Sequence, residues 1–458
     1  MLFNTWSFVV FFTLFAGGFY LLRNRQNARL IWLLAGSYFF YGFLDVRFLL
    51  PLLVTTAVDF FAGKGIAKGR HPKIFLALSI FVDLGILCTF KYLNFFTENL
   101  QTLIDAVGWD FELPQSELLL PIGISFYTFQ SLSYTFGVYW KKCRPENNFL
   151  RYAAFTAMFP QILAGPIERA KNILPQLKHK PVIRSLDIQD GISLFIVGLF
   201  KKAVMADMVS VYVNTVYADV SEYSSLSVFL AAFFYSWQIY FDFSGYSDMA
   251  RGVARMLGFR LMLNFDNPYT AVDVREFWRK WHISLSTWFK DHIYIPMGGG
   301  RCIKYRVWWN VMVTMVVSGF WHGAAWNFII WGALNGLGSI ISPRSDKSGW
   351  YGKVPRLLRQ LLTFIFITVT WIFFRLGTVE ESWAVLKKCV TFESGSTLIP
   401  VIPLLLTLVI WIWQLIYDSE KRKFLENRAV RVITLSLMLI LLLFLSGGGH
   451  EQFIYFQF

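Results

Sequence analysis

Two histidines carry most of the chemistry that this sequence can offer. His322 lies within Ser318-Gly319-Phe320-Trp321-His322-Gly323-Ala324-Ala325-Trp326, inside an uncharged run of 37 residues from 307 to 343. An ionisable side chain so placed is costly to keep and marks a functional-site candidate. Burial disfavours the imidazolium, so a neutral ring is expected, able to take a proton from a hydroxyl. A histidine that hydrogen-bonds between helices explains the same position. Ser318, Gly319, Ala325 and Trp326 sit at helical spacing from it. The small ones leave room for a substrate or for a close helix crossing.

His282 follows Arg275-Glu276-Phe277-Trp278-Arg279-Lys280-Trp281, 40 residues upstream. It reads as an interfacial histidine or as a second site residue. His292 is ten positions further on. Steps of ~100° per residue take it off the His282 face, which argues against a two-histidine metal site on one helix. His71 and His179 sit in basic loops and read as surface residues; His450 lies in a Gly-rich tail and is assigned no role. No metal is expected. GxxxxGK[ST] and HExxH are both missing, and Gly245-Tyr246-Ser247-Asp248-Met249 is not GxSxG. Gly298-Gly299-Gly300 reads as a turn or as an anion-binding nest. Cys88, Cys143, Cys302 and Cys389 are far apart, with no CxxC pair.

Composition sets what must position these residues. Hydrophobic residues make up 55% of the 458 and charged residues 16%, with a mean hydropathy of +0.48. Soluble domains carry about 25% charged residues. Uncharged runs recur at 1–22, 118–140, 223–241, 307–343, 394–417 and 432–449. A spanning helix needs roughly 17–25 apolar residues. A soluble enzyme, a disordered chain and a nucleic-acid-binding module are thereby excluded, leaving an all-α polytopic membrane protein of about 11–12 membrane helices. The net charge of +14 falls in clusters between apolar runs, as the positive-inside rule describes.

Expected spans are 7–22, 30–44, 48–62, 74–95, 118–140, 150–166, 188–208, 224–244, 307–342, 357–377, 397–417 and 432–447. The apolar N-terminus, whose first charge is Arg23, reads as a first span and not as a cleaved signal peptide. The loop 97–117 holds Glu98, Asp105, Asp110, Glu112 and Glu117 without Lys or Arg and is placed outside; the basic loop 64–73 is placed inside. Basic segments flank 150–166 on both sides. Pro160, Gly165 and Pro166 favour re-entry there over a full crossing. The basic, aromatic stretch 245–306 is expected to form interfacial and re-entrant helices, with Trp278, Trp281 and Trp288 near the headgroups. The run 307–343 is one tilted helix or two short ones broken near Gly319 and Gly323. Asp59, Asp83, Lys91, Asp242 and Arg375 sit at apparent membrane depth and are expected mostly to pair within the bundle.

Several motifs in one order resemble the membrane-bound O-acyltransferase family. They are Pro121 to Gln130, Gly165-Pro166-Ile167, Asp242 to Asp248, Arg275 to Leu285, Tyr294 to Gly299, Ser318 to Trp326, and the tail Phe453 to Phe458. They are dense over 118–335 and sparse at the ends. The pattern is most similar to the bacterial branch of alginate O-acetyltransferase membrane subunits and more distantly to teichoic-acid D-alanyl transfer proteins. The resemblance implies one acyltransferase domain over 1–458, with helices and re-entrant helices around a central tunnel. It implies that His322 is the family's essential histidine and that His282 occupies its second, less uniform position. It also implies acetyl-CoA as a cytoplasmic acyl donor, an extracytoplasmic acetyltransferase partner and a polysaccharide as the final acceptor, in a bacterial inner membrane. Arg275, Arg279 and Lys280 then either meet donor phosphates or face solvent and lipid headgroups. The other function class to weigh is a polytopic transporter or flippase for an envelope glycan. It would explain the spans and buried charges but not the His322 motif.

Overall fold

The structure is a computed structural model that describes residues 1–342, 349, 351–446 and 453–454. His450 and the tail beyond Ile454 lie outside the described residues, as do 343–348, 350 and 447–452. Among the described residues every regular element is a helix. Five helices among these residues are long and apolar enough to cross a membrane: Val46–Lys68, Pro72–Val107, Ser225–Met256, Arg356–Arg375 and Arg428–Leu445. Three shorter ones, Trp6–Leu22, Trp326–Ile341 and Val401–Tyr417, are also apolar. The chain divides into two compact units, 1–192 with 250–262 and 193–249 with 263–458.

The first unit contains α1 (Trp6–Leu22), α2 (Gln26–Gly42), α3 (Leu49–Lys68), α4 (Pro72–Leu87), α5 (Leu93–Val107), α6 (Ile124–Tyr139), α7 (Phe149–Ala157), α8 (Phe159–Ile162) and α9 (Ala170–Lys178). Gly69, in the left-handed region at φ 74°, ends α3, and Pro72 starts α4. The motif from Pro121 to Gln130 builds α6, whose residues from Ile124 to Thr135 are all buried. Its first cap, Gly123, has φ 82°, and a side chain there would run into the Ile162 carbonyl oxygen of α8. Gln130 and Gln161 both donate to the Phe155 carbonyl, at 2.5 and 2.8 Å. They satisfy an acceptor at the point where α7 stops and the chain turns into α8.

At 1.5 Å per residue, α7 and α8 are about 13 and 6 Å long, well short of a ~30 Å hydrocarbon core. Both are almost wholly buried, so neither α7 nor α8 alone is a span. Two expectations are corrected in this unit. The helix that begins at Pro72 does not end at 95; it passes through a π-turn at Cys88–Tyr92 and continues to Val107, so half of the acidic 97–117 segment is helical. Asp59 and Asp83 are fully buried on α3 and α4, yet they lie beside each other instead of pairing with a cation.

The helices α10 (Ser185–Phe200), α11 (Asp207–Ala218) and α12 (Ser225–Met256) come next. The expected end of α12 at 244 is 12 residues early. Basic residues did not stop the helix because they find partners: Arg255 Nη2 lies 2.6 Å from Asp190, and its Nε lies 3.6 Å from Asp187.

The second unit also contains α13 (Val274–Lys280), α14 (Ile283–Phe289), α15 (Lys304–His322), α16 (Trp326–Ile341), α17 (Arg356–Arg375), α18 (Val379–Thr391), α19 (Val401–Tyr417), α20 (Arg422–Leu425) and α21 (Arg428–Leu445). The 307–343 run is two helices, broken at Gly323–Ala325. Trp281 and Trp288 are 0% and 5% exposed, so the headgroup placement is wrong for both. Trp281 packs 5.0 Å from Phe265, 5.4 Å from Phe277 and 5.0 Å from Trp371 between ring centroids. In a site this crowded with aromatics, burial outweighs the interfacial preference of the indole. Asp242 does pair, with Lys202 at 2.9 Å, and Lys202 also meets Asp207 at 2.8 Å. Arg375 bonds the Asn214 amide oxygen at 3.0 Å instead of a carboxylate.

Candidate active site

His322 is the last residue of α15 and is 3% exposed. Ala325 and Trp326 therefore do not share its helix, contrary to the helical spacing read from the sequence; the chain is extended at Gly323, with φ −162°. Gly319 has a different role from that of making space for a substrate. A side chain there would meet the Phe328 carbonyl oxygen and, at 3.1 Å, Gly332 Cα. One at Gly332 would meet the Met315 carbonyl oxygen and, at 3.0 Å, Val316 Cα. The two glycines let the α15 and α16 backbones touch, which fixes where α15 delivers His322. Three aromatic rings stand around the imidazole, Trp321 at 4.9 Å, Trp331 at 5.1 Å and Phe374 at 5.1 Å, each edge to face.

His282 is fully buried at the turn between α13 and α14, with φ 42° and ψ 53°. A non-glycine residue in this left-handed region is uncommon and persists when its surroundings fix it. Here Asn264 supplies the fixing. Its carbonyl oxygen accepts from Ile283 N at 2.9 Å, and its Oδ1 accepts from Ser284 N at 3.2 Å and Ser284 Oγ at 2.9 Å. Its Nδ2 donates to Ser247 Oγ at 3.2 Å. The His282 ring packs 4.6 Å from Phe243 and 6.2 Å from Trp321. Trp321 thus touches both histidines and places them in one aromatic compartment of the second unit.

The tail closes on the same helix face. Ile454 N donates to Asp242 Oδ2 at 2.7 Å, and Phe453 packs against Tyr246 at 4.9 Å and Phe243 at 5.8 Å. The indole N–H groups of Trp281, Trp331 and Trp371 are buried and meet no acceptor among the described residues. Such donors are available to a carbonyl oxygen that enters the compartment. Neither Asn264 nor the buried-donor character of these indoles was read from the sequence, where Trp281 was placed at the headgroups.

The basic cluster resolves residue by residue. Arg275 Nε donates to the Ser339 carbonyl at 2.6 Å and Nη2 to that of Ile340 at 3.3 Å. It caps the C-terminal end of α16, where carbonyls favour a cation. Lys280 is held by Asp418 at 2.8 Å and Glu276 at 3.3 Å. Only Arg279 of the three is exposed. His292 Nδ1 lies 2.9 Å from the Trp288 carbonyl, a local contact one turn back. Gly298 N and Gly299 N donate to the carbonyls of Ile295 and Tyr294, each at 2.9 Å. The glycine run is thus a turn, with two of its three N–H groups spent on its own backbone.

The arrangement holds a sequestered imidazole, a second imidazole on a pinned turn, and spare buried donors. That set suits proton transfer and acyl-group handling away from bulk water. Comparison with known proteins agrees. Residues 34–342 match the model of the MBOAT, membrane-bound O-acyltransferase family. The chain is 37% identical over 388 residues to the probable alginate O-acetylase AlgI of Azotobacter vinelandii, covering 84% of this chain and 76% of that protein. It is 34% identical over 432 residues to a peptidoglycan O-acetyltransferase of Helicobacter pylori, covering 86% and 81%. A teichoic acid D-alanyltransferase of Streptococcus thermophilus is 27% identical over 310 residues, covering 60% and 72%. With its family model matched over most of its length, this chain belongs to the membrane-bound O-acyltransferase family and is an O-acyltransferase.

Proposed function

We propose that this enzyme moves an acetyl group from cytoplasmic acetyl-CoA across a bacterial inner membrane for O-acetylation of an extracytoplasmic polysaccharide. The observation that carries this reading is a buried histidine at the end of α15, in a chain whose relatives are named for O-acetyl transfer to two different glycans. Alginate and peptidoglycan share a sugar hydroxyl as the acetylated group, so the acceptor class is a glycan hydroxyl, reached through a separate extracytoplasmic acetyltransferase.

His322 takes the proton of an intermediate acceptor hydroxyl, from which the separate acetyltransferase later passes the acetyl group to the glycan, as that oxygen attacks the thioester carbonyl. The C–S bond breaks, an acyl–O bond forms, and the CoA thiolate leaves and is protonated at the expense of the imidazolium. General base catalysis of this kind typically contributes 10²–10⁴-fold. His282 orients or polarises the substrate from its pinned turn. The Trp331 indole N–H, buried beside His322 without an acceptor among the described residues, donates to the carbonyl oxygen as charge develops there.

Purified protein given acetyl-CoA and an acceptor should release CoA thiol, and the release should depend on the acceptor. A glycan transporter would release none, and that result would remove the enzymatic reading of the site.

A further inference from the structure

The first unit contains a buried polar cluster for which acyl transfer has no use. Asp59 on α3 and Asp83 on α4 are both 0% exposed and lie beside each other. Ser79 Oγ donates to Asp59 Oδ1 at 2.6 Å and contacts Thr135 Oγ1 at 3.0 Å. The Thr55 hydroxyl lies next to Asp83 and the Ser131 hydroxyl next to Asp59. All four hydroxyl-bearing side chains are fully buried. Five oxygens of the cluster have neither solvent contact nor a hydrogen bond of proper geometry: Asp59 Oδ2, both Asp83 oxygens, Thr55 Oγ1 and Ser131 Oγ. No Lys, Arg or His pairs with either carboxylate among the described residues.

Two adjacent carboxylates in a dry interior repel each other, and each costs several kcal/mol to desolvate unless something positive offsets it. The five oxygens come from three helices, α3, α4 and α6, and two of them belong to neutral hydroxyls next to the acids. A group of oxygens from neighbouring helices, closed to water, suits a dehydrated ion. Oxygen-only ligand sets select hard cations.

We propose that Asp59, Asp83, Thr55 and Ser131 form an oxygen-only site for a hard metal cation that ties α3, α4 and α6 together. Sodium and calcium share this chemistry. Sodium suits the five free oxygens; calcium would also balance both charges.

The test uses the full-length protein, purified in detergent, stripped with a chelator and exchanged into choline chloride. Its unfolding midpoint is followed as NaCl or CaCl2 replaces choline at constant ionic strength. One of the two ions should raise the midpoint saturably, and which one does so identifies the cation. Asp83→Asn should lose that response. Thr55→Val, which keeps the shape and removes one ligand, should weaken it at least several-fold in half-saturating concentration. Equal midpoints in sodium, calcium and choline would overturn the proposal. So would an ion response that survives in both variants. A midpoint that moves with pH and with neither metal would assign the pair a shared proton and would also overturn the site. CoA release plays no part in this readout, so its outcome is independent of the acyl-transfer reading.

Discussion

Asn264 holds Ser284 by two hydrogen bonds to one amide oxygen, at 3.2 Å from the backbone N–H and 2.9 Å from the hydroxyl. This clasp keeps His282, two residues before Ser284, in the left-handed conformation at φ 42°. Asn264→Ala should therefore release the turn. Two buried donors lose their acceptor, a cost of about 1–3 kcal/mol each. We expect a lower unfolding midpoint and acyl-transfer activity reduced by at least an order of magnitude, measured as CoA release per mole of inserted protein. Full activity in this variant would show that the backbone at His282 needs no clasp.

Gly319 and Gly332 set the distance between α15 and α16. Gly319→Ala would force a side chain against the backbone of α16. Overpacking of this kind costs about 1–3 kcal/mol. Activity should fall further than stability, because the shift moves His322 three residues along the same helix. Gly17, with open space around it, provides the control: Gly17→Ala should leave both unchanged.

Trp331 separates ring packing from hydrogen bonding. Trp331→Phe keeps an aromatic ring beside His322 but removes the indole N–H. Loss of one preorganised donor to a developing oxyanion costs on the order of 10² in kcat. Turnover should drop while donor KM changes little. If kcat stays within about twofold, the indole serves packing alone.

Asp418, just beyond the end of α19, anchors Lys280 and through it the helix before His282. Burial pushes its carboxyl up, but hydrogen bonds from Lys280, Thr270 and Asn267 outweigh that and hold it below its ordinary value of 3.8. A depressed native value means that the stabilisation is fully present above about pH 4 and is lost as pH falls through the native value. The melting midpoint should decline below pH 4 in the wild type. Asp418→Asn should be less stable at pH 7 by about 1 kcal/mol, with a flatter acid limb. Parallel acid limbs in the two proteins would show that Asp418 is not the titrating anchor.

The apolar helices and the burial of His322 were legible because both depend on local pattern. An uncharged run of 37 residues isolates a single histidine, and nothing distant is needed to see it. The same logic failed where pairing across the fold changes what a residue can tolerate. Arg255 stays helical because Asp187 and Asp190 neutralise it from 60 or more positions away. Trp281 and Trp288 read as headgroup anchors because their neighbours are basic, but Arg275 and Lys280 are absorbed by carbonyls and carboxylates, and the indoles turn inward. Asn264 gave no sequence signal at all, since its partner lies 20 residues on and neither belongs to a recurring spacing. Asp59 and Asp83 looked like ion-pair members one by one; only the packing of α3 on α4 shows that they face each other.

The central claim is that the His322 imidazole accepts a proton during acyl transfer. The direct measurement is turnover of purified His322→Gln, with insertion and unfolding midpoint checked against wild type. Glutamine keeps hydrogen-bonding capacity and approximate size but cannot take the proton. A general base predicts loss of roughly 10²–10⁴-fold in kcat, in a protein that still inserts and folds. An interhelical hydrogen bond averages only about 0.6 kcal/mol in a membrane, so a purely structural histidine predicts near-wild-type turnover in the glutamine variant. That second result would contradict the account.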